Sequence, residues 1–428
     1  MFESLLVSAN PWWKGSWGPA PPPEFKRPIF EELLADLFDL KQILSLTGPR
    51  RIGKTTLLKQ LIRHLIEEKG LEPRNVVYLS LDDPALSTLP EGKRIFDALV
   101  ERYIQAPEGK PKNGLKVPVY FFLDEVQRIP RWELYLKKYF DLGYPIRWIV
   151  TGSASSPILR KSQESLLGRI RQHHLLPFSF HEYALYKHQD NPNISHTIKE
   201  SRLIRSHFFH YSDVGDLAEK MKNTVKALIP HRELLEKSFR EYLLYGGFPE
   251  VWEIADPQRR MEYLFDNQIR KVIFEDLYQT TSFRKPENIQ LFFLHLLGNP
   301  GTEIQVDKIS NTLRVSRIML ERYLPLLEMT DLINHIERFS KKTLKVKRGL
   351  FKCYVIDLAL RNSIYKVYEN LFNDTVTLGR YAENLVYLTL KRWKEAIHIA
   401  YWRERDREVD FVATLSADQH LPIEVKWS

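Results

Sequence analysis

Residues 48–55 read GPRRIGKT, two glycines separated by four residues and followed by a lysine and a hydroxyl. This is the full P-loop pattern, and its chemistry is that of holding a polyphosphate. Gly48 and Gly53 free the loop through Pro49, Arg50, Arg51 and Ile52 to turn backbone amides onto the β and γ phosphates. Lys54 adds a point charge, Thr55 offers its hydroxyl to Mg²⁺, and Thr56 continues into a helix whose N-terminal dipole favours the anion. A second pair completes the chemistry. VPVYFFLDE ends an apolar run with Asp124, placed to hold Mg²⁺ through water, and Glu125, placed to orient and deprotonate the attacking water. IRWIVTGSAS ends another apolar run with Thr151 and Ser153, polar side chains suited to sensing the γ phosphate. Arg169, in SLLGRI, reads either as an arginine finger, in cis or toward a neighbouring subunit, or as a surface arginine. A finger supplied by a neighbour would make the protein a homo-oligomer, a ring or a dimer. No NKxD guanine signature accompanies the loop, so ATP is expected rather than GTP.

A separate constellation lies near the C-terminus. Asp410 in EVDFVA and Glu424 and Lys426 in LPIEVK fall on strand-like segments, the last two on one face because they are two residues apart. Glu383 sits upstream in GRYAENLVYLTL, a helical pattern. The set suits a metal-dependent nuclease, with Asp410 and Glu424 holding the ion, Glu383 completing the acidic cluster and Lys426 activating the water. It also suits a plain polar strand face. Between the two constellations, VDKISNTLRVSRIMLERYLPLLEMTDLI reads as helix, turn, helix. Leu320, Tyr323, Leu324 and Leu327 would point inward, Arg314, Arg317 and Arg322 outward, and Pro325 would kink or end the second helix. Arg338, Lys341, Lys342, Lys345, Lys347, Arg348 and Lys352 follow with no acidic residue among them, as in a wing tracking DNA phosphates. A winged helix used for protein contacts is the other reading.

These groups need elements to position them. From 29 to 180 the apolar runs QILSLT, VVYLSL, VPVYFFL and IRWIVTG alternate with helical patterns, which predicts a doubly wound α/β P-loop ATPase core. Residues 1–28 form a leader rich in proline and tryptophan, NPWWKGSWGPAPPPEFKRP, whose prolines and glycines exclude regular structure. The pattern is helical from 181 to 285, a lid or bundle. Residues 286–352 read as a winged helix and 353–428 as a second, small α/β unit.

The 428 residues exceed one domain, and 63 lysines and arginines against 54 aspartates and glutamates leave a net charge of +9, which makes a polyanion such as DNA a candidate partner or marks a charge-rich surface. Cys353 is the only cysteine, so no intramolecular disulfide or cysteine zinc site can form, and a cytoplasmic setting is expected. No apolar run approaches the ~20 residues that span a bilayer, so no membrane partner is expected.

The stretches NPWW, LTGPRRIGKTTLL, FFLDEVQ, VTGSASS, LLGRI with LLPFSFHEY, YGGFPE, FKCYVIDLALRN and GRYAENLVYLTL…EVDFVA…PIEVK together resemble a known family. It is that of the prokaryotic, especially archaeal, AAA-like P-loop ATPases with a C-terminal domain of unknown function. The resemblance spans nearly the whole chain, apart from the polar segment near 185 to 230. It implies an ASCE-type parallel sheet, a helical subdomain, a winged helix and a C-terminal fold similar to PD-(D/E)XK restriction endonucleases. It also implies a helix and a strand after the ExK strand, whereas the sequence stops at Ser428. The expectation is therefore a nuclease-like domain that is inactive, or a truncated chain. The expected function is ATP hydrolysis that couples nucleotide state to DNA-associated modules. The alternative is an ATP-dependent regulatory switch or scaffold with an inactive docking domain.

Overall fold

The computed structural model describes residues 2–88, 95–100, 118–153, 165–206, 214–277, 286–340 and 350–427. The chain divides between Leu176 and Pro177 into two units.

The first unit is built on a parallel sheet of β1 (Ile43–Gly48), β2 (Val76–Ser80), β3 (Val119–Asp124), β4 (Ile146–Ser153) and β5 (Ile170–His174), in the order β2-β3-β4-β1-β5. The four apolar runs are β1 to β4, and they read as continuous apolar stretches because both faces of the sheet are covered. β5, IRQHH, carried no such signal: it is a sheet-edge strand with two exposed arginine and glutamine side chains at its centre. Because all strands run the same way, β1 and β3 deliver Gly48 and Asp124 to the same end of the sheet.

The leader differs from expectation at its start. FESLLVSA contains neither proline nor glycine, and Phe2–Ala9 is a helix, followed by a 3-10 turn at Pro11–Lys14. Asn10, fully buried, then lies along the outer edge of β2. Its amide donates to Tyr78 O at 2.9 Å and accepts from Tyr78 N at 2.6 Å. Trp12 and Trp13 both donate their indole N–H to Val76 O, at 3.0 and 3.1 Å. The NPWW stretch thus satisfies backbone groups that a sheet edge leaves open. Further along, Gln60 donates to Pro23 O and Phe25 O at 2.7 and 2.8 Å, and buried Arg27 donates to Leu176 O at 2.9 Å.

The second unit begins with helices, among them Phe180–Lys187, Pro192–Ser206, Val214–Leu228 and Arg232–Tyr245. The helix Pro286–Gly298 leads into β6 (Glu303–Gln305), the helices Val306–Leu313 and Arg317–Glu328, β7 (Ile333–Glu337) and β8 (Leu350–Val355). These strands form an antiparallel sheet ordered β6-β8-β7. Leu320, Tyr323 and Leu327 are buried, and the second helix runs through Pro325 to Glu328 without ending there. The expected boundary after residue 352 falls inside β8. Lys341, Lys342, Lys345, Lys347 and Arg348 lie outside the described residues. After the helices Leu358–Tyr365 and Thr375–Lys391 comes an antiparallel sheet of β9 (His398–Glu404), β10 (Arg407–Thr414) and β11 (His420–Ile423), ordered β11-β10-β9.

Two of the sequence stretches in this unit turn out to be halves of one contact. Gly246, at φ +72°, and Gly247 are packed so closely that a Cβ would collide with the Asp357 carboxylate at the first and the Phe178 carbonyl at the second. Buried Asp357 accepts from Gly247 N–H at 2.6 Å and from Ala359 N–H at 2.9 Å, capping the helix Leu358–Tyr365. Asn362, one turn on, donates to Leu243 O and Leu244 O, both at 2.9 Å.

Burial pushes the Asp357 carboxyl up to about 6, against the pull of those two backbone donors. The folded protein therefore keeps a proton that the unfolded chain has lost, over the window from about pH 4 to 6. The resulting stability is present below that window and lost as pH rises through it. Urea denaturation of wild type and Asp357→Asn from pH 4 to 7 should show the wild type losing about 3 kcal/mol relative to the variant; parallel curves would contradict this.

Candidate nucleotide site

The loop between β1 and the helix Lys54–Glu67 is shaped by close approach. Gly48 has φ +145°, and a Cβ there would strike the Leu175 carbonyl and the Ile52 side chain. Arg51 and Gly53 also take positive φ, turning the chain into the helix N-terminus, where backbone amides favour an anion. Lys54 is buried, and its Nζ donates to Gly48 O at 3.0 Å and Pro49 O at 2.7 Å. The ammonium is thus held at the loop itself by the loop's own carbonyls.

Asp124, at the end of β3, is only 3% exposed. Its Oδ2 accepts from Thr55 Oγ1 at 2.6 Å and from the Tyr78 hydroxyl at 3.1 Å, and its Oδ1 accepts from Thr151 Oγ1. Thr151 in turn accepts from Glu125 N–H at 3.2 Å. Glu125 itself takes a left-handed φ of +56°, which turns it away from the strand direction, and its carboxylate accepts from the Gln127 amide. A hydroxyl and a carboxylate in contact at a helix N-terminus are hard oxygen donors of the kind Mg²⁺ takes, so Thr55 and Asp124 fit that ion. When bound, it would neutralise charge on the phosphates.

The structure thus brings Lys54, Thr55, Asp124 and Glu125 to one end of the sheet. Ser153 is paired with Gly48 in the β1–β4 register, and its side chain lies outside the described residues. Arg169 is placed elsewhere. Its carbonyl accepts from Ile43 N–H at 2.8 Å, at the start of β1, about 16 Å of strand from the loop. Its guanidinium pairs with Asp141, Nε to Oδ1 at 2.6 Å and Nη2 to Oδ2 at 3.2 Å. It does not reach the phosphate loop of its own chain.

Tyr78 is the residue the sequence reading missed. The register sets it opposite Phe122, so its ring reaches diagonally to Asp124. Burial and the nearby Asp124 carboxylate raise its pKa, which keeps the phenol protonated and donating. A tyrosine two residues before the end of a strand neighbouring the acidic one was the available signal.

In the second unit, Glu383 and Asp410 do converge, but around Lys352. Its Nζ lies 2.8 Å from Glu383, 2.6 Å from Glu408 and 3.6 Å from Asp410. Glu424 and Lys426 lie just beyond β11 rather than within it and pair with each other at 2.8 Å, with the lysine exposed. The last residues paired between β10 and β11 are Phe411 and Ile423, so Asp410 and Glu424 follow as the next opposite positions. Asp410 Oδ2 accepts from Val425 N–H at 2.9 Å.

The sheet order, loop and acidic strand end together define a P-loop nucleoside-triphosphatase type of domain. Residues 40–184 match the AAA domain family, so this part of the chain is an AAA-like P-loop domain. Residues 236–371 match a "Domain of unknown function (DUF8612)" and 378–428 a "Domain of unknown function (DUF4143)". Among curated proteins, the chain is similar to the uncharacterized protein MJ1544 of Methanocaldococcus jannaschii, 25% identical over 90% of this chain and 79% of that protein. An uncharacterized protein of Haemophilus influenzae is 23% identical over 92% and 86%. Among solved structures, the replication initiator DnaA bound to AMPPCP and single-stranded DNA aligns at 14% identity, TM-score 0.28, over 74% of this chain and 96% of that one. The RuvB Holliday junction branch migration motor of Thermotoga maritima aligns at 14% identity, TM-score 0.26, over 76% and 92%. Scores this low say nothing of function. No helix among the described residues is long and apolar enough to cross a membrane.

Removing the Tyr78 hydroxyl leaves Asp124 one donor short without touching the phosphate loop. Tyr78→Phe should weaken Mg²⁺ binding to the nucleotide-loaded protein about tenfold, as loss of a partner orienting a metal ligand commonly does. A Mg²⁺ titration of fluorescent-ATP binding checks it.

Proposed function

We propose that the chain hydrolyses ATP with Mg²⁺ and uses the nucleotide state to control a DNA-associated second unit. One observation carries the catalytic part: Asp124 bonded to Thr55 at the mouth of the phosphate loop, with Glu125 next in sequence. In this reading Lys54 leaves the loop carbonyls for the β and γ phosphates, Thr55 and Asp124 hold Mg²⁺, Thr151 fixes the turn at Glu125, and Glu125 activates the water. Arg169, paired with Asp141 away from its own loop, serves only toward a neighbouring subunit in this reading.

The DNA part is supported by the helix, helix and antiparallel sheet of residues 303–355, which fit a winged helix, and by exposed Arg314 and Arg322. Arg317 is less suited to phosphate contact, since it already pairs with Glu321 at 2.8 Å and Asp307 at 3.2 Å. The C-terminal sheet behind its helix fits the nuclease-like reading in outline. A cytoplasmic setting fits the lone buried Cys353.

Lys54→Ala should abolish ATP binding and turnover. Glu125→Gln should keep binding and lower turnover by at least about a hundredfold, as loss of a general base does. Phosphate release and fluorescent-ATP binding measured together test both, and unchanged turnover in Glu125→Gln would defeat the hydrolytic assignment.

Duplex DNA affinity of the full chain should fall steeply with salt, with a log–log slope of about −0.9 for each phosphate contacted. Reversing charge at Arg314 and Arg322 should flatten it, as a filter-binding series would show.

A further inference from the structure

Two of the carboxylates expected in a C-terminal metal site, Glu383 and Asp410, already face a cation that the sequence reading assigned to the wing, while Glu424 lies apart with Lys426. Lys352 belongs to β8, yet only 3% of it is exposed, and three carboxylates face its ammonium: Glu383 from the helix Thr375–Lys391, and Glu408 and Asp410 from β10. Each has further partners. Glu383 Oε1 also accepts from the Tyr354 hydroxyl at 2.6 Å, Asp410 Oδ2 accepts from Val425 N–H, and Glu408 Oε2 faces Arg403 at 3.4 Å.

We propose that Lys352 takes the place of a divalent cation in this cluster, closing it as a buried ion-pair latch between β8, β10 and the helix Thr375–Lys391. The inference rests on reading this region as nuclease-like, and it deepens that reading by making the site one that holds no metal while Lys352 is in place.

Three physical points support it. The separations from Nζ to Glu383 and Glu408 suit an ammonium donating to oxygens, whereas Mg²⁺ takes its oxygens at about 2.1 Å, so an entering ion would have to expel Nζ and draw the carboxylates inward. A cation already inside the cluster repels a second one. The lysine expected to serve a nuclease, Lys426, lies outside with its charge shared with Glu424. The residues as they stand therefore do not fit a resident metal.

The test uses the nucleotide-free full chain. Mn²⁺ binding is followed by electron paramagnetic resonance, and cleavage of duplex DNA in Mn²⁺ is scored alongside. Wild type should show no cleavage, and its Mn²⁺ binding should be unchanged by Asp410→Asn. Lys352→Gln should gain Mn²⁺ affinity by about tenfold, and the gain should vanish when Asp410→Asn is added. Mn²⁺ binding or cleavage by wild type that depends on Asp410 would overturn the proposal, as would a folded Lys352→Gln with no gain. Circular dichroism reports folding. Should Lys352→Gln not fold, the wild-type and Asp410→Asn pair still decides, together with Lys352→Arg, which keeps the cation and should remain free of Mn²⁺. ATP binding measured on the same samples reports separately on the nucleotide site, and metal-free wild type with no affinity for DNA would count against the nuclease-like reading alone.

Discussion

A buried carboxylate must be surrounded by donors, because taking its charge out of water costs several kcal/mol if nothing replaces the lost hydration. Asp124 meets this constraint with three hydroxyls, and they come from three places: Thr55 from the helix after the phosphate loop, Thr151 from β4 and Tyr78 from β2. One side chain, at the end of β3, thereby fixes the relative positions of the helix after the loop, β4 and the outer strand β2. The reach extends further out. Tyr78 is also the residue whose backbone N–H and C=O are paired by Asn10, so the leader that covers the sheet edge sets the strand from which the phenol is presented. The short motif NPWW, far from the phosphate loop in sequence, is connected to it through two side chains.

The second unit solves the same problem differently at Asp357. There the donors are backbone amides, Gly247 and Ala359, and the solution demands that two successive residues lack side chains so the chain can come close enough. Two amides compensate less completely than water does, which is why burial prevails and the carboxyl titrates high. The glycine pair, the capping aspartate and Asn362 form a joint between the helices Arg232–Tyr245 and Leu358–Tyr365 that leaves little room for substitution.

Much of this was legible in the sequence. The phosphate loop announces itself because its chemistry is local: the residues of its motif lie within eight positions, and the flanking strand and helix follow from apolar runs and periodicity. Asp124 and Glu125 were legible for the same reason, as polar residues ending a buried strand. What escaped depends on contacts across the chain. β5 is polar because only part of it is covered, so no apolar run marked it. Tyr78 reads as one more apolar strand residue until the register of β2 on β3 is known. Arg169 lies near the right motif in sequence, but a parallel strand carries its neighbour to the far end of the sheet. Lys352 looked like part of a basic wing, because six of its basic neighbours in sequence precede it and nothing local reveals the carboxylates that β10 and a later helix bring to it.

The two acidic sites differ in what compensates them, and that difference sets what each can bind. Around Asp124 the donors are neutral hydroxyls. They replace lost hydration but leave the carboxylate's negative charge in place, and a hydroxyl such as Thr55 can turn its oxygen from donor to metal ligand without leaving the site. A cation arriving with a nucleotide therefore finds both charge and ligands waiting. Around Lys352 the donor is itself a cation, so hydrogen bonding and charge neutralisation are accomplished by the same group, and an incoming ion has to remove it before gaining either. Acidic residues gathered at one point are therefore not enough to define a metal site. The charge of the group that already satisfies them decides, and by that criterion Asp124 is open to a divalent ion while the cluster around Lys352 is closed.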